Sequence, residues 1–100
     1  MKQTSGYSII RADRAGVFIG KIVEEKGSTL VVTNARRLYY WSGALDVITI
    51  ATNGVGKPSN CKFSAQLGDM DKSTIMNVIE YHPICENALN TINSVPTWKS

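Results

Sequence analysis

The run AGVFIGKIVEEKGSTLVVTNARRLYYW, residues 15–41, constrains this chain more than any other stretch. Val17, Phe18, Ile19, Ile22 and Val23 are separated from Leu30, Val31, Val32 and Thr33 by the polar segment Glu24–Ser28, which contains Gly27. β-Branched and aromatic residues suit a pleated surface, and a glycine supplies the positive φ of a tight reversal. No helical period fits the two arms as well. The run predicts a long β-hairpin.

The other segments are read around it. YSIIRAD has strand composition, and CKFSAQL predicts a short strand. GDMDKS predicts a turn. TIMNVIEYHPI alternates Ile75, Asn77, Ile79 and Tyr81 against Met76, Val78, Glu80 and His82, which predicts one strand ended by Pro83. CENALNTIN sets Cys85, Ala88, Leu89 and Ile92 on one helical face. SGALDVITIATNGVGKP is ambiguous. Ala44, Val47, Ile48, Ala51 and Val55 have helical spacing, Ser42 is a candidate N-cap, and Gly54 sits where a helix would end. Against this, Val47–Ile50 are all β-branched, which weakens a helix. A short helix is the favoured reading. Met1–Gly6 is polar and expected to be flexible, and SVPTWKS is expected to be extended with Trp98 as an anchor.

At 100 residues and 11.0 kDa the chain is one domain, because two halves would be too small to bury separate cores. The expectation is an α+β domain: an antiparallel sheet of about five strands with two short helices.

Net charge is +3 and the pI is near 9.0, a mild excess that fits an anionic partner without requiring one. Cys61 and Cys85 lack CxxC spacing, and with the lone His82 they fall short of a zinc ligand set. No metal and no cofactor are expected. The N-terminus has no long apolar run of the signal-peptide kind, and no segment is long enough to span a bilayer. The expected setting is a cytoplasm with reduced thiols and no membrane partner.

The candidate site lies in NARRLYYWSGA, Asn34–Ala44. A regular strand would direct Arg36, Leu38 and Tyr40 one way and Arg37, Tyr39 and Trp41 the other. Each face then carries an arginine and an aromatic, so neither is a plain core. Arginine offers a donor fork that fits phosphate, and flat aromatics stack on bases. An aromatic strand at an oligomer interface, with arginines covering apolar surface, has the same composition, and both readings stand. Arg37, Tyr39 and Trp41, the two-aromatic side, are the first candidates for ligand contact. Arg36, Tyr40 and Lys62 are secondary candidates, with Arg36 assigned to the fold or an oligomer contact. Glu80 and His82 share a strand face but have no nucleophile with them, and Asp69 and Asp71 read as a solvated turn. No hydrolase, zincin, kinase or phosphate-loop signature occurs, so no enzyme is expected.

Three blocks, NARRLYYWSGA, GVGKPSNCKFS and VIEYHPICENALNTINSVPTWK, resemble in the same order a family of small proteins of unknown function encoded by tailed bacteriophages. The family's recurring features are an Asn-Ala-Arg-Arg-aromatic-aromatic-Trp block, a Pro-x-x-Cys-Lys-Phe block and a C-terminal Val-x-x-Trp-Lys. They fall here on Asn34–Ala44, Pro58–Phe63 and Val95–Lys99. LDVITIAT departs from the pattern in being more β-branched. The resemblance implies a phage origin and a host-cytoplasmic setting. Together with the Arg/aromatic strand it leads to the expectation of a non-enzymatic accessory protein, a homo-oligomer that sequesters a nucleotide-type immune signal. A nucleic-acid-binding module and a protein-interaction or virion component are the alternatives.

Overall fold

The computed structural model describes residues 4–98. Six strands form one antiparallel sheet: β1 (Thr4–Ala12), β2 (Gly16–Lys26), β3 (Thr29–Tyr40), β4 (Lys62–Phe63), β5 (Lys72–Ile75) and β6 (Val78–Cys85). Two helices, α1 (Val47–Asn53) and α2 (Glu86–Asn93), complete the α+β domain. A short 3-10 turn, Pro58–Asn60, precedes β4.

The hairpin of β2 and β3 is the spine. Its arms run right up to a two-residue link, Gly27–Ser28, with Gly27 at φ 60°. The polar Glu24–Lys26 therefore belongs to β2 and not to a longer loop. β1 pairs with β2, and β6 pairs with the other edge of β1. The far edge of β3 takes β5 along Leu30–Thr33 and β4 near Leu38–Tyr40. Hence β5 and β6 lie at opposite ends of the pairing chain β5-β3-β2-β1-β6, yet only Met76–Asn77 joins them. The sheet must curl until its ends approach. Ser28 O accepts from Val78 N at 2.8 Å, so the hairpin tip touches the start of β6.

Curling gives the sheet two apolar faces. Ile10, Ala12, Leu30, Val32, Ala35 and Ile75 fill the inner face. Ile9, Ile19, Leu38, Phe63 and Ile84 form the outer face beneath the helices, which bury Val47, Ile50, Ala88 and Ile92 against it. Gly54 ends α1 at φ 76°, pressed so closely on α2 that a Cβ there would clash with Thr91 Oγ1 and lie 2.8 Å from Ala88 O.

A bulge in β3 decides which side chains face inward. Ile19 pairs with Arg36 but Lys21 pairs with Thr33, so β3 has one residue more than β2 over this span. Asn34 takes up the extra residue at φ 56°. Before it, even-numbered Leu30 and Val32 face inward; after it, odd-numbered Ala35 does. Gly20 permits the distortion, since a Cβ there would meet Thr33 O at 3.0 Å.

Several expectations need correction. Thr4–Gly6 is strand, paired through Thr4 to Cys85; Met1–Gln3 lies outside the described residues. The favoured helix exists, but Asp46 and not Ser42 caps it, accepting from Thr49 N at 2.9 Å. The single strand expected over 74–84 is two, because Asn77 at φ 58° reverses the chain. Asn tolerates the left-handed region better than most residues, and alternation alone does not show a reversal. Pro83 does not end β6, which runs to Cys85: on a strand paired only to β1, its missing N–H need not break a ladder bond.

Candidate binding surface

The two arginines of NARRLYYW have different fates. Arg36 is 7% exposed. Its Nε donates to Ser64 O at 2.6 Å, Nη2 to Val95 O at 2.7 Å and Nη1 to Ile92 O at 3.3 Å. Ile92 lies in the last turn of α2, where its carbonyl also accepts from Val95 N at 3.1 Å, and Val95 stands just past the Ser94 cap. A cation placed there also meets the negative end of the helix dipole. The guanidinium sits 5.1 Å from the Phe63 ring. Burial pushes its pKa down from the ordinary value, and it stays protonated at neutral pH. Arg36 ties β3 to the end of α2 and leaves little of itself for a ligand.

Arg37 points to the inner face. Its guanidinium lies over the Phe18 ring at 4.8 Å and has no carboxylate partner among the described residues. Two adjacent clefts share Arg37, Phe18 and Ser73 as a common wall. One, of about 530 Å3, is bounded by Arg14, Thr74 and Asn77. The other, of about 410 Å3, runs past Tyr39, Ser64 and Leu67. Ser64 Oγ accepts from Arg37 N at 2.8 Å and Ser64 N donates to Arg37 O, so this part of β3 is held on both sides of the peptide.

Tyr39, 53% exposed, meets Trp98 with ring centroids 5.5 Å apart and planes inclined at 59°. Trp98 is brought there by the returning tail: Thr97 bridges Phe63 in parallel, and Trp98 N donates to Phe63 O at 2.9 Å. Lys62 Nζ stands 5.3 Å from the Trp98 ring centre. Tyr40 pairs with Lys62 across β3 and β4, is exposed, and lines neither cleft.

Trp41 does not share the face of Arg37 and Tyr39. β3 ends at Tyr40, the alternation ends with it, and Trp41 packs against the core beneath the helices. The structure therefore brings together Arg37, Tyr39 and Lys62 of the expected set, separates Trp41, and buries Arg36. It adds Phe18, Arg14 and Trp98. Phe18 had a legible signal, since it is the aromatic opposite Arg37 in the hairpin register. Trp98 was legible only as an anchor of the tail and Arg14 not at all, as both reach this surface through chain reversals.

Glu80 lies elsewhere, in a surface network: Oε2 accepts from Arg11 Nη1 at 2.8 Å, and Oε1 is 2.8 Å from His82 Nε2. The His82 hydrogen bond first, and then Arg11, hold its carboxyl below the usual carboxylate range. Among the described residues no cluster of His, Cys, Asp and Glu suits a metal, and no helix is long and apolar enough to cross a membrane. Cys61 and Cys85 are free thiols.

No curated protein and no solved structure matches the chain. One family model, Domain of unknown function (DUF6948), matches residues 5–92. With most of its length covered by that match, the chain belongs to the DUF6948 family.

Proposed function

We propose that the protein binds an anionic, base-containing ligand and does not turn it over. Arg37 meets phosphate on the wall between the two clefts, and the Tyr39–Trp98 pair takes the base. The observation that carries this is an exposed arginine with no carboxylate partner among the described residues, seated on Phe18 and flanked by a two-ring aromatic surface with Lys62 beside it. A guanidinium in this state keeps its donor fork available to a phosphate. Stacking on such rings contributes about 1–3 kcal/mol per base. Across the larger cleft stand Arg14, a second cation, and its neighbour Asp13, whose carboxylate directs an anion toward Arg37. The clefts fall in the size range of small-molecule sites, about 300–1,000 Å3. In the setting that the phage-protein resemblance suggests, the ligand is a host nucleotide signal and the role is sequestration.

Calorimetry of the folded protein against mononucleotides, cyclic dinucleotides and a cyclic ADP-ribose tests this. Saturable binding by one of them is expected, with loss on Arg37→Ala. A folded protein that binds none refutes the reading. A short single strand that binds instead, with affinity falling steeply as salt rises, moves the same surface to nucleic-acid recognition.

A further inference from the structure

The two clefts beside Arg37 are unlike, and the difference bears on the shape of the ligand. Arg37, Phe18 and Ser73 form the wall they share, so the guanidinium stands at the junction. The smaller cleft, about 410 Å3, is faced by Tyr39 and Leu67, which offer a ring and an aliphatic side chain to a flat base. The larger, about 530 Å3, is bordered instead by the polar groups of Asp13, Arg14, Thr74 and Asn77. Each falls within the range of small-molecule sites, about 300–1,000 Å3, so each has room for one half of a two-part ligand.

The charge of the larger cleft decides what enters it. Beyond Arg37, Arg14 and Asp13 offset each other and leave it nominally neutral. A run of further phosphates would meet the Asp13 carboxylate, whereas the hydroxyls of a ribose and the amino groups of a base can donate to it. Thr74 and the Asn77 amide supply donors and acceptors of the same uncharged kind. This wall is also fixed. Asp13 N donates to Asn77 O at 2.9 Å, which ties the turn between β1 and β2 to the reversal between β5 and β6. Arg14 at φ 71° and Asn77 at φ 58° both hold the left-handed conformation, which is uncommon outside glycine and gathers at ligand sites.

We propose that the ligand is a dinucleotide. The phosphate that joins its two nucleosides lies on Arg37, one base lies against Tyr39 in the smaller cleft, and the second nucleoside lies in the larger cleft between Asp13, Thr74 and Asn77. This rests on Arg37 as the phosphate site. It adds that a mononucleotide fills only one side of the surface.

Titration calorimetry of the full chain tests it with mononucleotides, nucleoside triphosphates, dinucleoside monophosphates in every combination of the common bases, and single strands of about ten nucleotides. A dinucleoside monophosphate should bind at least about tenfold more tightly than either of its mononucleotides, the scale of one more base contact. Asn77→Gly removes the amide and keeps the positive φ, and Thr74→Tyr narrows the larger cleft from an exposed position on β5. Both should lose that preference and leave mononucleotide affinity unchanged, whereas Tyr39→Ala should weaken both ligands. Far-UV circular dichroism verifies the fold of each variant. Equal affinity for mononucleotide and dinucleotide overturns the proposal and leaves the phosphate site at Arg37 standing, as does a triphosphate that binds more tightly than any dinucleotide. A single strand that outbinds the dinucleotides by more than its number of registers overturns it in favour of nucleic-acid recognition. A preference that survives in both folded variants overturns the assignment of the larger cleft. Binding by none of the probes overturns this proposal and the ligand reading together.

Discussion

Replacing Arg36 with alanine removes a buried cation that serves three backbone carbonyls. Two of its bonds, to Ser64 O and Val95 O, are short at 2.6 and 2.7 Å; the third, to Ile92 O, is weaker at 3.3 Å. A hydrogen bond to a charged group contributes about 1.5–3 kcal/mol, and a buried acceptor left without a partner costs about 1–3 kcal/mol. Against this, the variant no longer has to strip water from a guanidinium, a cost of several kcal/mol that no carboxylate among the described residues offsets. Ile92 O keeps its bond from Val95 N, so two carbonyls are orphaned, and with the relieved desolvation counted the net loss is about 2–4 kcal/mol. A domain of this kind has only about 5–15 kcal/mol in all. For this chain length, about 4–8 °C per kcal/mol converts the loss to a fall in Tm of roughly 8–32 °C. Urea and thermal unfolding followed by circular dichroism measure it. Arg36→Lys should fall between, because one ammonium keeps the charge near the end of α2 but does not reproduce the planar fork over three carbonyls. Arg36→Met keeps apolar bulk near Phe63 and should still lose stability through the orphaned carbonyls. If Arg36→Ala costs less than about 1 kcal/mol, or Arg36→Met is as stable as the parent, the carbonyls do not depend on the guanidinium and the account of this residue fails.

Arg37→Ala should abolish ligand binding while costing only about 0.5–1 kcal/mol of stability, the scale of an exposed cation–π contact with Phe18; calorimetry and a melting curve on the same sample separate the two effects. Trp98→Ala should weaken binding by about 1–3 kcal/mol through loss of the ring facing Tyr39, and unchanged affinity would remove the tail from the site. Gly54→Ala should destabilise by at least about 1–3 kcal/mol, since an alanine there must hold a positive φ and displace Thr91 or the Ala88 backbone; a variant as stable as the parent would show that α1 and α2 separate easily. Glu80 has a folded pKa below its unfolded value of about 4.3, so its contribution is present above that pH and is lost as pH falls through the folded value; urea midpoints from neutral to acid pH should show a smaller acid loss in Glu80→Gln than in the parent.

The hairpin, the α+β class and both helices were legible because local rules carry them. Strand-forming arms flank a glycine turn at Gly27, and spacing sets Ala88 and Ile92 on one face of α2. Even the ambiguous segment 47–53 resolved as its spacing favoured, with Asp46 supplying the cap. That Arg36 and Arg37 face opposite ways was also legible, from strand alternation alone. Which of them is buried was not. Leu30 and Val32 face inward, and unbroken alternation from them would have sent Arg36 inward with them and Arg37 toward the helices. The extra residue at Asn34 inverted that order, and it fits only because Gly20 on the neighbouring strand leaves room for it. Alternation also says nothing about where a strand stops, so Trp41, one residue past the end of β3, was grouped with a face it does not share. Arg14, Phe18 and Trp98 reach Arg37 and Tyr39 through a turn, a register and a returning tail. Short-range pattern sets the elements; bulges, strand ends and long-range returns set which side chains meet, and these are settled by packing between segments that lie far apart in the chain.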